Sequence, residues 1–240
     1  MAHDNWLERT ELLIGKKRLE ELKSSHVLIV GLGGVGAYAA EMLCRSGIGK
    51  LTIVDADTVH SSNINRQLPA LHSTIGQSKA ALLETRLKDI NPDVHIIALQ
   101  EFLKDERTIE LLDSNKFDFI VDAIDSISPK VFLIYHSLVR KIPIISALGA
   151  GGKMDLSKIE ITDISKTYQC ALAKTVRKKL KNLGIVEGLP VVFSSEPVSK
   201  ESIILVENEQ NKKSSAGTIS YLPTVFGCYL AQYVIMNIRK

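Results

Sequence analysis

The stretch His26-Val-Leu-Ile-Val-Gly-Leu-Gly-Gly-Val-Gly36 decides the fold. A short apolar run ends in glycines, and residues 35–45 then follow helical spacing. That order predicts a buried strand, a tight turn and a helix. Gly31, Gly33, Gly34 and Gly36 permit close backbone approach. The start of the next helix offers free N–H groups and a positive dipole end to a phosphate. The motif by itself predicts a nucleotide site in a Rossmann-type unit and does not choose the nucleotide.

Working outward, the same alternation repeats. Strands are predicted at 51–54, 94–99, 117–121 and 142–145, and helices at 77–90, 105–113 and 129–140. Upstream, residues 9–23 read as an amphipathic helix broken at Gly15. The fold class is α/β, a Rossmann-like, mostly parallel sheet with helices on both faces. Residues 1–152 are expected to hold the N-terminal helices and the nucleotide-binding core. The pattern changes after Gly149-Ala-Gly-Gly152. Residues 153–240 are expected to complete the domain as a smaller, irregular part. It contains strands at 159–164, 191–194 and 203–206, a basic helix at 171–182 and a mobile polar loop at 208–217.

Composition sets bounds. The chain has 240 residues, 45% apolar, a formal charge of +3 and a mean hydropathy near zero, as expected of a soluble globular protein. The overall charge does not call for nucleic acid, although charge can be local. Cys44, Cys170 and Cys228 form no C-x-x-C pair, so neither zinc nor a disulfide framework is expected. A reducing, cytoplasmic setting fits. The apolar stretch 222–238 contains Pro223, Gln232 and Asn237 and reads as a buried helix, with Cys228 inside it, not as a membrane span.

Further polar residues fall at predicted strand ends. A carboxylate at Asp55 can accept hydrogen bonds from ribose hydroxyls, which suits NAD and ATP alike. Asn63-Ile-Asn-Arg-Gln67 and then Lys79 separate the two. A triphosphate carries charge that must be neutralised as pyrophosphate departs, and Arg66 and Lys79 can supply that. Asp122-Ala-Ile-Asp125 ends the fourth strand, where ligands bind in open α/β sheets. One aspartate can hold Mg²⁺ and the other serve the turn, in either order.

Together these residues resemble the HesA/MoeB/ThiF E1-like superfamily. The shared signature is G-x-G-G-x-G, Asp55 with Asp57, S-N-x-x-R-Q at Ser62 to Gln67, Lys79, and D-x-x-D at Asp122 to Asp125. Arg9-Thr-Glu-Leu-Leu-Ile-Gly15, Arg45-Ser-Gly-Ile-Gly49, Ile90-Asn-Pro92, Gly149-Ala-Gly-Gly152 and Thr224-Val-Phe-Gly227 are similar to its tRNA threonylcarbamoyladenosine dehydratase branch. The resemblance implies an enzyme that uses Mg-ATP to adenylate the threonine carboxylate of N6-threonylcarbamoyladenosine in tRNA and then closes the ring, with net dehydration. It implies nucleotide contacts from the glycine loop, Asp55, Asp57, Asn63, Arg66, Gln67, Lys79, Asp122 and Asp125, with Asp125 holding Mg²⁺. It implies a catalytic set of Arg66, Lys79, Asp125 and Arg9, the last reaching the partner's site in a homodimer. A cysteine desulfurase-type sulfur-transfer protein is a further partner class. Relatives that carry sulfur have a cysteine just before the small-residue segment; here Lys213-Ser-Ser215 stands there.

Lys174, Arg177, Lys178 and Lys181 fall at i, i+3, i+4 and i+7, which puts four cations on one helix face. Such a stripe suits tRNA phosphates, or it is simply a solvated face. An unpaired anticodon loop would present its modified base without melting a duplex. Competing readings are adenylation of a small carrier protein's C-terminus for sulfur transfer, an NAD-dependent oxidoreductase, and a silent nucleotide-binding scaffold.

Overall fold

The computed structural model describes residues 5–205 and 214–239. Helices α1 (Glu8–Ile14) and α2 (Lys16–Lys23) come first, separated by Gly15 at φ 82°, a backbone angle that favours glycine. Then follow β1 (His26–Val30), α3 (Gly36–Arg45), β2 (Lys50–Val54), α4 (Lys79–Ile90), β3 (His95–Leu99), α5 (Asp105–Ser114), β4 (Phe119–Asp122), α6 (Ile127–Val139) and β5 (Ile144–Ala147). The remainder gives β6 (Ile159–Asp163), α7 (Ala171–Asn182), β7 (Pro190–Ser194), β8 (Ile203–Leu205), β9 (Ser214–Ala216) and α8 (Tyr221–Asn237).

Among the described residues one seven-stranded sheet has the order β3-β2-β1-β4-β5-β7-β6, and β8 pairs with β9 apart from it. All neighbours in the large sheet are parallel except β6, which runs antiparallel to β7 at the edge. The two-residue alternation of the strands splits the core into two layers. Val27, Ile29, Ile53 and Val121 face α3, α4 and α8 through Ala40, Leu83 and Phe226. Leu28, Val30, Val54 and Ile120 face α5, α6 and α7 through Leu111, Ile134 and Val176. The inner strands β1, β2, β4, β5 and β7 are buried on both faces, which explains why the sequence shows apolar runs there instead of alternation.

After β3 the chain crosses back to lay β4 beside β1 on its other flank. That reversal opens a crevice at the carboxyl ends of β1 and β4, the usual ligand position in such sheets.

One expected loop is corrected. Residues 214–216 form β9, which pairs with β8 through Ile203↔Ala216, and Gly217 N–H donates to the Ser202 carbonyl at 2.7 Å. Cross-chain pairing leaves no mark on local polarity, which is all that pointed to a loop. The rest of that polar stretch, 208–213, lies outside the described residues. The apolar stretch near the end forms α8 against α3, and among the described residues no helix is long and apolar enough to cross a membrane.

Candidate functional site

The glycine loop occupies the crevice between β1 and β4. Gly31 N–H donates to the Val54 carbonyl at 2.9 Å and Ala123 N–H to the Val30 carbonyl at 2.8 Å, so the loop is joined to both neighbouring strand ends. Two glycines are required by packing. A Cβ on Gly31 would lie 2.6 Å from the Ala123 carbonyl oxygen, and one on Gly36 would lie 1.8 Å from that of Gly31. Gly33 differs. A Cβ there would meet only the Gln67 amide, at 3.6 Å, so its bareness keeps space open above the loop. A Cβ on Gly34 would come within 3.2 Å of the Arg66 carbonyl.

Asp55 bridges this loop to the next segment. Its Oδ2 accepts from Leu32 N–H at 2.6 Å and its Oδ1 from Asp57 N–H at 2.8 Å. Burial pushes its carboxyl upward, against the opposing pull of Lys79 and the two N–H donors. Lys79 opens α4, and its side chain is 4% exposed. Its Nζ donates to Asp57 Oδ2 at 2.9 Å, and its N–H donates to the Asp57 carbonyl at 3.2 Å. Asp57 thus clamps the start of α4 at two points.

The segment 60–67 folds over the loop. Asn63 is buried, with its Oδ1 accepting from His60 N–H at 3.0 Å and its carbonyl accepting from Arg66 and Gln67 N–H. Arg66 Nη1 donates to the Ser62 carbonyl at 2.9 Å and Asn65 Oδ1 at 2.8 Å. Burial lowers the Arg66 guanidinium, and the Asp125 carboxylate nearby opposes that shift. Asn65 Nδ2 donates to the Thr218 carbonyl at 2.9 Å, so the segment is held from the C-terminal side as well. Gln67 is 9% exposed, and its Oε1 is buried with no hydrogen-bond partner. Buried polar atoms are normally paired. The other end of the same amide, Nε2, is the atom nearest Gly33 and presents a donor to the loop.

The two aspartates at the end of β4 separate cleanly. Asp122 is fully buried: Lys130 Nζ donates to its Oδ2 at 2.5 Å, as does Ser146 Oγ at 2.5 Å, and Ile124 N–H donates to its Oδ1 at 3.0 Å. Its side chain is enclosed by these donors and fixes the turn after β4. Asp125 is exposed and faces Arg66. Lys130 is the residue that sequence reasoning passed over. It is 0% exposed and also donates to Ser146 Oγ and the Ala147 carbonyl. The signal was a lysine lodged among Val131, Leu133 and Ile134 in an otherwise apolar helix.

Contacts therefore link Gly31 through Gly36, Asp55, Asp57, Asn63, Arg66, Gln67, Lys79 and Asp125 around one crevice. Arg9 stands apart. It is exposed on α1, and Leu7 near it packs where a Gly47 Cβ would be, just past the end of α3. The glycine loop is at the other end of that ten-residue helix, ~15 Å away.

On α7, Lys174, Lys178 and Lys181 are exposed. Arg177 departs from the expected stripe: its guanidinium turns inward to the Thr167 carbonyl and Oγ1. Helical spacing fixes which face a residue shares, not whether a neighbouring carbonyl captures its long side chain. Cys228, expected to be buried, is half-buried, because α8 packs on α3 through the adjacent Phe226–Gly227 side.

Comparison with known proteins gives consistent results. The ThiF family model matches residues 7–240. The tRNA threonylcarbamoyladenosine dehydratase of Bacillus subtilis is 42% identical over 239 residues, covering 97% of this chain and 94% of that protein. The Escherichia coli tRNA N6-threonylcarbamoyladenosine dehydratase, solved in complex with ATP, superposes with a TM-score of 0.88 at 32% identity, covering 99% of this chain and 96% of that one. Its complex with AMP gives 0.88 at 31% identity, with the same coverage of 99% and 96%.

Proposed function

The chain belongs to the ThiF family, and on that footing we propose that it uses ATP to adenylate the threonine carboxylate of N6-threonylcarbamoyladenosine in tRNA and then cyclises it. The names of its relatives supply the dehydration, and the ATP and AMP complexes supply the co-substrate and its product. A carboxylate oxygen attacks the α-phosphorus and pyrophosphate leaves. The carbamoyl oxygen then closes on the activated carbonyl carbon, the carbamoyl N–H proton is lost, and AMP departs with the carboxylate oxygen. The nucleoside loses the equivalent of one water.

The observation that best supports this is the glycine loop at the carboxyl ends of β1 and β4 with Asp55 joined to it and Lys79 and Arg66 close by. In this reading the loop N–H groups and the α3 terminus hold phosphate oxygens. Asp55 has used two of about four acceptor sites and keeps the others for ribose hydroxyls. Lys79 has three donors, so it can reach a phosphate while still held by Asp57. Asn63 and Arg66 serve the same phosphates. Asp125 would hold Mg²⁺, which neutralises charge on the departing pyrophosphate.

Lys174, Lys178 and Lys181 are suited to tRNA phosphates. Arg9 is exposed on α1, whose first turn packs at the opposite end of α3 from the loop, which suits its reaching a partner's site in a homodimer. Leu12 and Leu13 on the same helix are 81% and 85% exposed, which suits a second copy. Cys44 and Cys170 are buried, burial pushes the Cys44 thiol up to about 12, and it also raises the half-buried Cys228, so none of the three is set up as a sulfur carrier for a cysteine desulfurase-type partner. Action on tRNA implies a cytoplasmic location.

The test is nucleoside mass analysis after incubation with ATP and tRNA carrying the modification. Loss of one water is expected. Lys79→Ala and Asp125→Asn should each slow turnover by about two to three decades, and Asp125→Asn should leave the unfolding midpoint near wild type. No mass change and no AMP from the wild-type protein would overturn the reading.

A further inference from the structure

The basic helix α7 has an aromatic neighbour that the reaction above does not use. Tyr168 sits in the turn that leads into α7 and is 52% exposed. Its immediate anchors are firm. Thr167 is 5% exposed and is held by the Arg177 guanidinium, and its Oγ1 donates to the Ile164 carbonyl at 2.8 Å. Cys170 is 7% exposed, and Gln169 before it takes φ 48°. The ring meets Phe193 of β7 edge-on, with centroids 5.7 Å apart and planes at 71°, and its hydroxyl lies 3.5 Å from Glu160 Oε1 on β6. Phe193 thus fixes the plane of the ring without covering it.

The turn also lies at the same end of the sheet as the glycine loop. Strand β7 runs parallel to β5, and the carbonyl of Ser194, next after Phe193, accepts from the Lys153 ammonium of the 149–153 loop. A Cβ on Gly149, just past β5, would lie 3.6 Å from Cys170 Sγ. From there Lys174, Lys178 and Lys181 lead away along α7. A held, half-open aromatic ring at the head of a row of cations is the arrangement that takes unpaired bases. The base stacks on the ring and the flanking phosphates meet the ammonium groups.

We propose that Tyr168 is a stacking platform for an unpaired tRNA base beside the reacting nucleotide, with Lys174 and Lys178 holding the adjoining phosphates. This rests on the tRNA reading above. Tyr168 is a positioning and specificity residue and takes no part in bond making.

The experiment uses the full chain with tRNA carrying the modification. Tyr168→Ala should raise KM for tRNA about tenfold with kcat and KM for ATP near wild type, and Tyr168→Phe should restore it. Trp6 is the only tryptophan in the sequence, so Trp6→Phe with Tyr168→Trp gives a single reporter. Its fluorescence should be quenched by the tRNA and not by blunt duplex RNA. Unchanged tRNA kinetics in Tyr168→Ala, with active wild type, would overturn the platform alone. A reporter signal that follows protein concentration without RNA would assign the patch to a second copy and also overturn it. Wild-type protein that leaves the modified tRNA unchanged would remove the underlying reading and the platform with it.

Discussion

Asp122 and Asp125 are alike as letters, three places apart at one strand end, and burial makes them opposites. Asp122 shares a buried ion pair with Lys130 at 2.5 Å, neither side chain exposed. Removing one partner of such a pair leaves an uncompensated charge. Lys130→Met is therefore expected to cost about 3–5 kcal/mol, read as a lower urea midpoint, and adding Asp122→Asn should recover part of it. A midpoint equal to wild type would show that the pair does not hold the fold. Gln67 gives the converse case, a residue whose arrangement favours a ligand over the fold. A buried oxygen with no hydrogen-bond partner costs the fold about 1–3 kcal/mol. Gln67→Met should hold or raise the unfolding midpoint without nucleotide and weaken ATP binding in calorimetry; a loss of stability with unchanged ATP affinity would reverse that assignment. The sequence marked Gln67 only as part of a motif. The missing partner of its oxygen depends on what surrounds it in space, which spacing along the chain does not carry.

At the scale of elements, α8 and α3 meet so closely that a Cβ on Gly227 would lie 2.5 Å from the Val35 carbonyl oxygen and 2.8 Å from Tyr38 Cβ. Gly227→Ala must push the helices apart, at about 1–3 kcal/mol. Val35 directly precedes α3, so the glycine loop should shift with it. ATP affinity and thermal midpoint are expected to fall together, and a variant that loses stability with full ATP affinity would uncouple α8 from the loop. The strands and helices of the first half were legible because each is a short apolar run or a 3.6-residue pattern, several of them closed by Gly, Pro or Asn. The small pair β8–β9 was only half legible, since Ser214–Ala216 is a strand by virtue of its partner and not of its composition. On α7, spacing identified the charged face, yet Arg177 is drawn inward by Thr167.

The whole molecule is a sheet between two cores, and its parallel order followed from strand–helix alternation. The antiparallel turn of β6 did not, because direction at an edge is set by pairing with β7. At the far end of the sheet from the crevice, His26 begins β1 with Nε2 2.8 Å from Thr52 Oγ1. Burial, with help from Lys50 and His95 and against Asp118, lowers its imidazole from 6.5 to about 4. The unfolded chain then binds more protons than the folded one between those values, so stability falls as pH drops through that window and levels off below it. A loss of about 2 kcal/mol between pH 7 and pH 4.5 is expected in urea titrations, and His26→Gln should flatten it. An unchanged slope in that variant would place the effect elsewhere. The closeness of α8 to α3 bears, finally, on the order of synthesis. At ~5–20 residues per second, a ribosome makes the glycine loop roughly ten to forty seconds before the helix that braces it. Through that interval the nascent chain displays a nucleotide motif whose outer brace, the seventeen residues of α8, has yet to be made.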